Sequence, residues 1–207
     1  VEADGQLGAP LAGLPEIAAG GQGGLLDVVL DSGFVDNRTL YFCYSEPAEG
    51  GRGNSTALAR ARLSDDRSRL EDLRVVFSQK PKVSSSAHFG CRIVERRVGG
   101  KPDGTLFVTL GDRYSRMADA QTLDNHHGKI VRVGKDGSVP RDNPFAGRTG
   151  ALPEIWSYGH RNLQGAALAP DGQLGTHEHG AQGGDEINVP QRGRDDGWPV
   201  IRHGFIY

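Results

Sequence analysis

Apolar and polar positions in this chain alternate over short runs, with no sustained helical spacing. Ala57-Leu58-Ala59-Arg60-Ala61-Arg62-Leu63 sets small or apolar residues against polar ones, as a half-buried strand does. Comparable runs are Leu25–Leu30, Thr39–Ser45 and Leu73–Phe77. Four strands are then followed by four more: Cys91–Glu95, Thr105–Leu110, Gly128–Val133 and Pro153–Tyr158. A third set opens at Ala166–Ala169 and continues through Gln173–Glu178, Asp185–Val189 and Trp198–Ile201. Turns are expected at Asp36-Asn37-Arg38, Pro102-Asp103-Gly104 and Pro170-Asp171-Gly172. Residues 1–20, rich in Gly, Ala and Pro, read as a connector.

The sets repeat at measurable spacing. Leu40, Leu106 and Leu174 are separated by 66 and 68 residues, and Gly24, Gly90 and Gly165 by 66 and 75. Recurring units of four short strands are the signature of an all-β fold, a β-propeller of four-stranded antiparallel blades. An ordinary β-sandwich is the alternative, but it does not account for the recurrence of strands and turns in order. The units fall at about 25–79, 91–159 and 165–207, within one partial propeller domain over 1–207. Val1 opens the chain, the only Met is Met117, and Phe205-Ile206-Tyr207 reads as mid-strand, so the domain is expected to continue past both ends.

Composition supports turns over helices: 31 of 207 residues are glycine, roughly twice ordinary usage. The formal net charge of −2 points to neither nucleic acid nor an anionic membrane. No apolar run approaches the ~20 residues of a membrane helix. Cys43 and Cys91 each sit in a strand-like run; they read as small buried hydrophobes, with pairing left open.

In a propeller, the loops entering the first strand of each blade meet at one end of the central channel. Gln22, His88 and Arg161-Asn162 occupy that position in successive units and are expected to converge on one pocket. His88 is the candidate general base. Arg161 and Asn162 are donors suited to a carboxylate- or quinone-bearing ligand. Glu178–Asn188 combines a glycine-rich loop with Asp185-Glu186, the oxygen-rich chemistry that Ca²⁺ takes, or else a solvated turn. His126 and His127, read as strand neighbours, would point to opposite faces, and His177-x-His179 lacks a third ligand at zinc spacing.

Gln22-Gly23-Gly24-Leu25-Leu26-Asp27, His88-Phe89-Gly90-x-Arg92, Leu110-Gly111-Asp112-Arg113, Gly128-Lys129-Ile130-Val131-Arg132, Gly159-His160-Arg161-Asn162, Gly184-Asp185-Glu186-Ile187-Asn188 and Gly197-Trp198-Pro199 stand in this order. As an ordered set they resemble the soluble glucose/sorbosone dehydrogenases, and within them the bacterial soluble aldose sugar dehydrogenase branch. The resemblance implies a six-bladed propeller, of which about three blades are present here. It implies pyrroloquinoline quinone (PQQ) and Ca²⁺ as cofactors, a sugar substrate, a lactone product and a periplasmic or secreted location. It assigns His88 to removal of the C1 hydroxyl proton while hydride passes to C5 of PQQ. It assigns Gln22, Arg161 and Asn162 to the quinone. Gly180 and Ala181 would bind, through their carbonyls, the Ca²⁺ that polarises PQQ, and Asp185 and Glu186 would bind structural calcium. Ala87 stands where the best-known glucose-oxidising branch has an acid, so strict glucose preference is not implied. Further quinone-binding residues are expected from later blades, and this stretch alone is expected to be inactive. Two other readings remain: a metal-dependent lactonase-type hydrolase built on Asp27, Asp112 and Asp185, and a non-catalytic binding propeller.

Overall fold

A computed structural model of the chain describes residues 4–205. The first sheet holds β1 (Leu25–Leu30), β2 (Thr39–Pro47), β3 (Asn54–Leu63) and β4 (Leu70–Ser78) in that spatial order. The second holds β5 (Gly90–Val98), β6 (Lys101–Leu110), β7 (Lys129–Gly134) and β8 (Ile155–Tyr158). The third, three-stranded, places β10 (Leu174–Glu178) between β9 (Leu163–Leu168) and β11 (Glu186–Asn188). All these strand pairs are antiparallel. The fold is the all-β propeller architecture expected from the repeat.

Period-two alternation explains the stacking. On β2, Tyr41 and Cys43 face one side and join Leu58 and Phe77 against Ile93, Leu106, Val108 and Val131 of the second sheet. Leu40, Phe42 and Tyr44 face the other side and pack with Ala57, Ala59, Ala61 and Leu70. The second sheet repeats the arrangement: Phe107 and Ile130, on its far face, meet Leu163 and Leu174 of the third. The second sheet is therefore buried on both faces. Its first strand, β5, packs between β1 and β9, so the three first strands lie side by side.

Two expectations need correction, and the cysteine pairing that the sequence left open is made. Cys43 and Cys91 are bonded to each other, Cα–Cα 6.5 Å, and tie the first sheet to the second. Their strands are adjacent only after the sheets stack, which spacing along the chain does not report. The β5–β6 hairpin turns at Gly99-Gly100, both in the left-handed region that a two-residue hairpin loop requires. Pro102-Asp103-Gly104 lies past the turn, within β6, beside a register shift between Glu95 and Arg97. Residues 198–201 form turns rather than a fourth strand. At the C-terminal end, Phe205 makes an isolated bridge with Gln182, while Ile206 and Tyr207 lie outside the described residues.

Candidate active site

The site forms where the loops before β1, β5 and β9 meet. The Gly20–Gly23 turn lies against the 84–88 loop, with Gln22 N donating to the Ser86 carbonyl at 2.8 Å. A side chain at Gly21 would run into Ser86, which is why the two loops can approach this closely. Gln22 then accepts, through Oε1, the amide of His88 at 2.8 Å. From the third loop, Asn162 Oδ1 accepts the Gly90 amide at 3.3 Å and is held by Gln164 Nε2 at 3.1 Å. Arg161 accepts the Asp112 amide on its carbonyl at 2.8 Å. All four residues expected to converge are thus joined by hydrogen bonds between loops from three sheets.

His88 is buried, at 6% exposure, with φ +51°. That left-handed conformation is uncommon for a residue with a Cβ, and functional sites are where such strain collects. Its Nδ1 lies 2.6 Å from Asp112 Oδ1. A carboxylate only accepts, so Nδ1 carries the proton, and Nε2 is the nitrogen left to take another. The Tyr114 ring stands edge-on to the imidazole at 5.2 Å between centroids, and the Tyr114 amide also donates to Asp112 Oδ1, at 2.8 Å. The second Asp112 oxygen accepts the Trp198 indole N–H at 2.8 Å. Asp112 is 1% exposed. Gly111 is required beside it, because a Cβ there would overlap the His88 carbonyl and crowd Asn162 Oδ1.

Around this dyad the chain is tightly tied. Arg113, fully buried, hydrogen-bonds to the carbonyls of Ala87, Ser85 and Asn54 and to Asn54 Oδ1, and lies 3.7 Å from the Phe89 ring centroid. Burial pushes its guanidinium down to about 10, against the pull of Asp112. Lys129 donates to the carbonyls of Asp119, Ala120 and His127. Burial pushes its ammonium down to about 7, with Asp119 the foremost opposing charge.

Arg161 is held from below. Its amide donates to Glu178 Oε2 at 2.6 Å, its Nη1 to the His179 carbonyl at 3.1 Å, and its Cζ lies 5.3 Å from the Trp198 ring centroid. Burial alone would raise the Glu178 carboxyl. His160, the Arg161 amide and Asn188 outweigh burial and hold it below its ordinary range. His160, fully buried, completes this support with Nε2 2.8 Å from Ser157 Oγ and Nδ1 3.1 Å from Glu178 Oε1.

A narrow cleft is lined by Arg161, Glu178, Gly180, Ala181, Glu186 and Trp198. Asp185 Oδ1 accepts the Gly180 amide at 2.9 Å, and its Oδ2 lies 3.6 Å from His179 Nδ1; Asp185 remains largely exposed. The amide, His179 and Arg161 hold its carboxyl low, although desolvation opposes them. The carbonyls of Gly180 and Ala181, and separately the carboxylates of Asp185 and Glu186, are hard oxygen donors, so each pair fits Ca²⁺ in type. A second cavity of about 290 Å³ lies alongside, lined by Gln22, Gly90, Cys91, Arg92, Asn162 and Gln164.

The other candidates separate. His126 and His127 precede β7 instead of lying on it. His126 Nδ1 accepts the Lys80 amide, and His127 bridges Asp119 and the Pro81 carbonyl. Burial lowers both imidazoles. Asp27 binds the Ile93 amide at 2.9 Å and lies 3.3 Å from Arg92 Nη1, so it does not join Asp112 and Asp185. Among the described residues no three of His, Cys, Asp and Glu form a group that could hold a metal ion. Two residues of the site escaped sequence reasoning in these roles. Asp112 and Trp198 stood in quoted motifs, yet their bond spans 86 residues. A carboxylate just past a strand end, in the unit that carries His88, is the one signal that could have suggested Asp112.

Stacked antiparallel sheets whose entry loops enclose a His–Asp dyad beside a buried arginine define a β-propeller that carries a polar site at one end of its blades. The chain belongs to the Glucose / Sorbosone dehydrogenase family, whose model matches residues 1–207. It is 48% identical over 202 residues to the aldose sugar dehydrogenase YliI of Escherichia coli (strain K12), covering 97% of this chain and 53% of that protein. It is 30% identical over 212 residues to quinoprotein glucose dehydrogenase B of Acinetobacter calcoaceticus, covering 91% and 42%. Among solved structures it matches the apo form of the soluble E. coli aldose sugar dehydrogenase at a TM-score of 0.89 and 46% identity, covering 97% of this chain and 56% of that one. It matches the PQQ-bound aldose sugar dehydrogenase of Streptomyces coelicolor at 0.76 and 26% identity, covering 90% and 51%. The chain spans about half the length of the curated relatives it matches. Among the described residues, no helix is long and apolar enough to cross a membrane.

Proposed function

We propose that this chain carries the general-base half of a PQQ- and Ca²⁺-dependent aldose dehydrogenase that oxidises the sugar C1 hydroxyl to the lactone. The observation that carries this reading is the His88–Asp112 dyad, set between Gln22 and Asn162 on neighbouring loops. When bound, PQQ supplies the two-electron acceptor for hydride from C1, with Ca²⁺ polarising it. The chain supplies position and proton handling. His88 Nε2 takes the hydroxyl proton, and Asp112 fixes the tautomer and stabilises the imidazolium that forms. Arg161 offers a permanent cation to a quinone carboxylate, and Asn162 and Gln22 hold the adjoining edge of the site. Gly180 and Ala181 present carbonyls to Ca²⁺, and Asp185 and Glu186 serve a structural ion. A periplasmic or secreted setting agrees with the Cys43–Cys91 bond, since disulfides persist in oxidising compartments.

The test is reconstitution of the full-length protein, stripped of metal, with dye reduction followed over a panel of aldoses. Turnover that needs both PQQ and Ca²⁺ is the expected result. Absence of turnover, with absorbance showing no quinone bound, overturns the reading.

A further inference from the structure

Trp198 touches two parts of the site that the dyad alone does not connect. Its indole N–H donates to Asp112 Oδ2 at 2.8 Å, the oxygen that His88 leaves unused. Its ring face lies beneath the Arg161 guanidinium, 5.3 Å from Cζ to the centroid. The residue is 9% exposed, and its backbone is fixed at both ends: N donates to the Gly159 carbonyl at 2.9 Å and O accepts Gln121 Nε2 at 2.8 Å. The ring therefore cannot drift with the surface loop that carries it. An N–H aimed at a buried carboxylate restrains its rotation, and a cation over an indole face is attracted to it.

We propose that Trp198 is a positioning residue with two separable functions, the N–H aligning Asp112 and so His88 for proton removal, and the ring fixing Arg161 for the cofactor. This rests on the general-base reading above. The two parts of the side chain answer to different measurements: the N–H governs turnover of loaded enzyme, and the ring governs retention of the quinone.

The experiment uses the full-length protein, with turnover expressed per quinone-loaded site so that any misfolded fraction drops out. Trp198→Phe keeps an aromatic face and removes the N–H. Its kcat should fall about 10-fold or more, the consequence of deleting one hydrogen bond to a charged group. Sugar KM and PQQ Kd should stay within about twofold if the ring alone serves the quinone. An isosteric benzothienylalanine at position 198, which loses only the N–H, should reproduce that result and covers the case in which Phe perturbs folding. Trp198→Leu should lose the same turnover and in addition bind PQQ about fivefold or more weakly, measured by absorbance titration. Unchanged kcat per loaded site in both N–H-deleting variants overturns the proposal, and so does loss of quinone affinity in the benzothienylalanine form. His88→Gln and Asp112→Asn, run alongside, separate the two levels. If they remain fully active, the general-base reading fails; if they are inactive while the position-198 variants are not, only the role of Trp198 fails.

Discussion

Both oxygens of the Asp112 carboxylate are used inside the site, one on the His88 ring and one on an indole N–H. Asp112→Asn leaves one oxygen and adds an amide that cannot satisfy both partners. Turnover per quinone-loaded site should fall by about 10²-fold or more, and His88→Gln should cost on the order of 10³-fold, with PQQ still bound. Stopped-flow reduction of the loaded enzyme by an aldose measures both. Glu178 gives a prediction in pH. Its carboxyl lies below the ordinary value of 4.5 in the folded chain, so the folded state binds fewer protons than the unfolded one in that range. The stabilisation is complete above about 4.5 and disappears as pH falls through the folded value. Glu178→Gln should therefore flatten the decline of Tm below pH 4.5, although the lost acceptor on the Arg161 amide lowers Tm at neutral pH. A parallel acid decline in variant and parent would refute this.

At the scale of elements, the site depends on loops that cannot thicken. Gly111 follows β6 and sits against the His88 carbonyl. Gly111→Ala would force those loops apart, and overpacking of this kind costs about 1–3 kcal/mol. The expected outcome is a lower Tm together with loss of quinone-loaded turnover, read from thermal melts and steady-state assays; an unchanged pair of values would contradict the packing argument. The strands themselves were legible, because alternation and turn residues are local properties. β2 shows this best: its two faces, Tyr41 with Cys43 and Leu40 with Phe42, can be told apart by parity alone. The β5–β6 turn was misplaced because Gly99-Gly100 and Pro102-Asp103-Gly104 both carry turn chemistry, and only the pairing of Val98 with Lys101 decides between them. The 198–201 run resembles a strand by composition, yet its Trp198 is drawn to a carboxylate in another sheet.

At the scale of the whole molecule, the disulfide closes a segment of 48 residues between the first and second sheets. The chain-entropy model gives about 4 kcal/mol for a loop of that size. Paired replacement of Cys43 and Cys91 by Ser should lower the unfolding free energy by about 2–4 kcal/mol in urea titrations, and reductant should act on the parent but not on the double variant. Neither the bond nor the Asp112–Trp198 contact was legible, because both are made only when separate sheets stack; the meeting of Gln22, His88 and Arg161-Asn162 was legible, because the repeat itself places those loops at one end. The hydrogen bonds that assemble the site run from Gln22 to His88, from Asn162 to Gly90 and from Arg161 to Asp112, each between a loop of one sheet and a loop of another. Catalysis in such an arrangement acts as a gauge of alignment: a slight slippage between neighbouring sheets, too small to alter strand content, would silence turnover first. Under the proposed dehydrogenase function, gentle heating should thus abolish turnover while circular dichroism is still that of the native state, and substitutions far out on the sheet faces should cost sugar oxidation before any loss of folded protein.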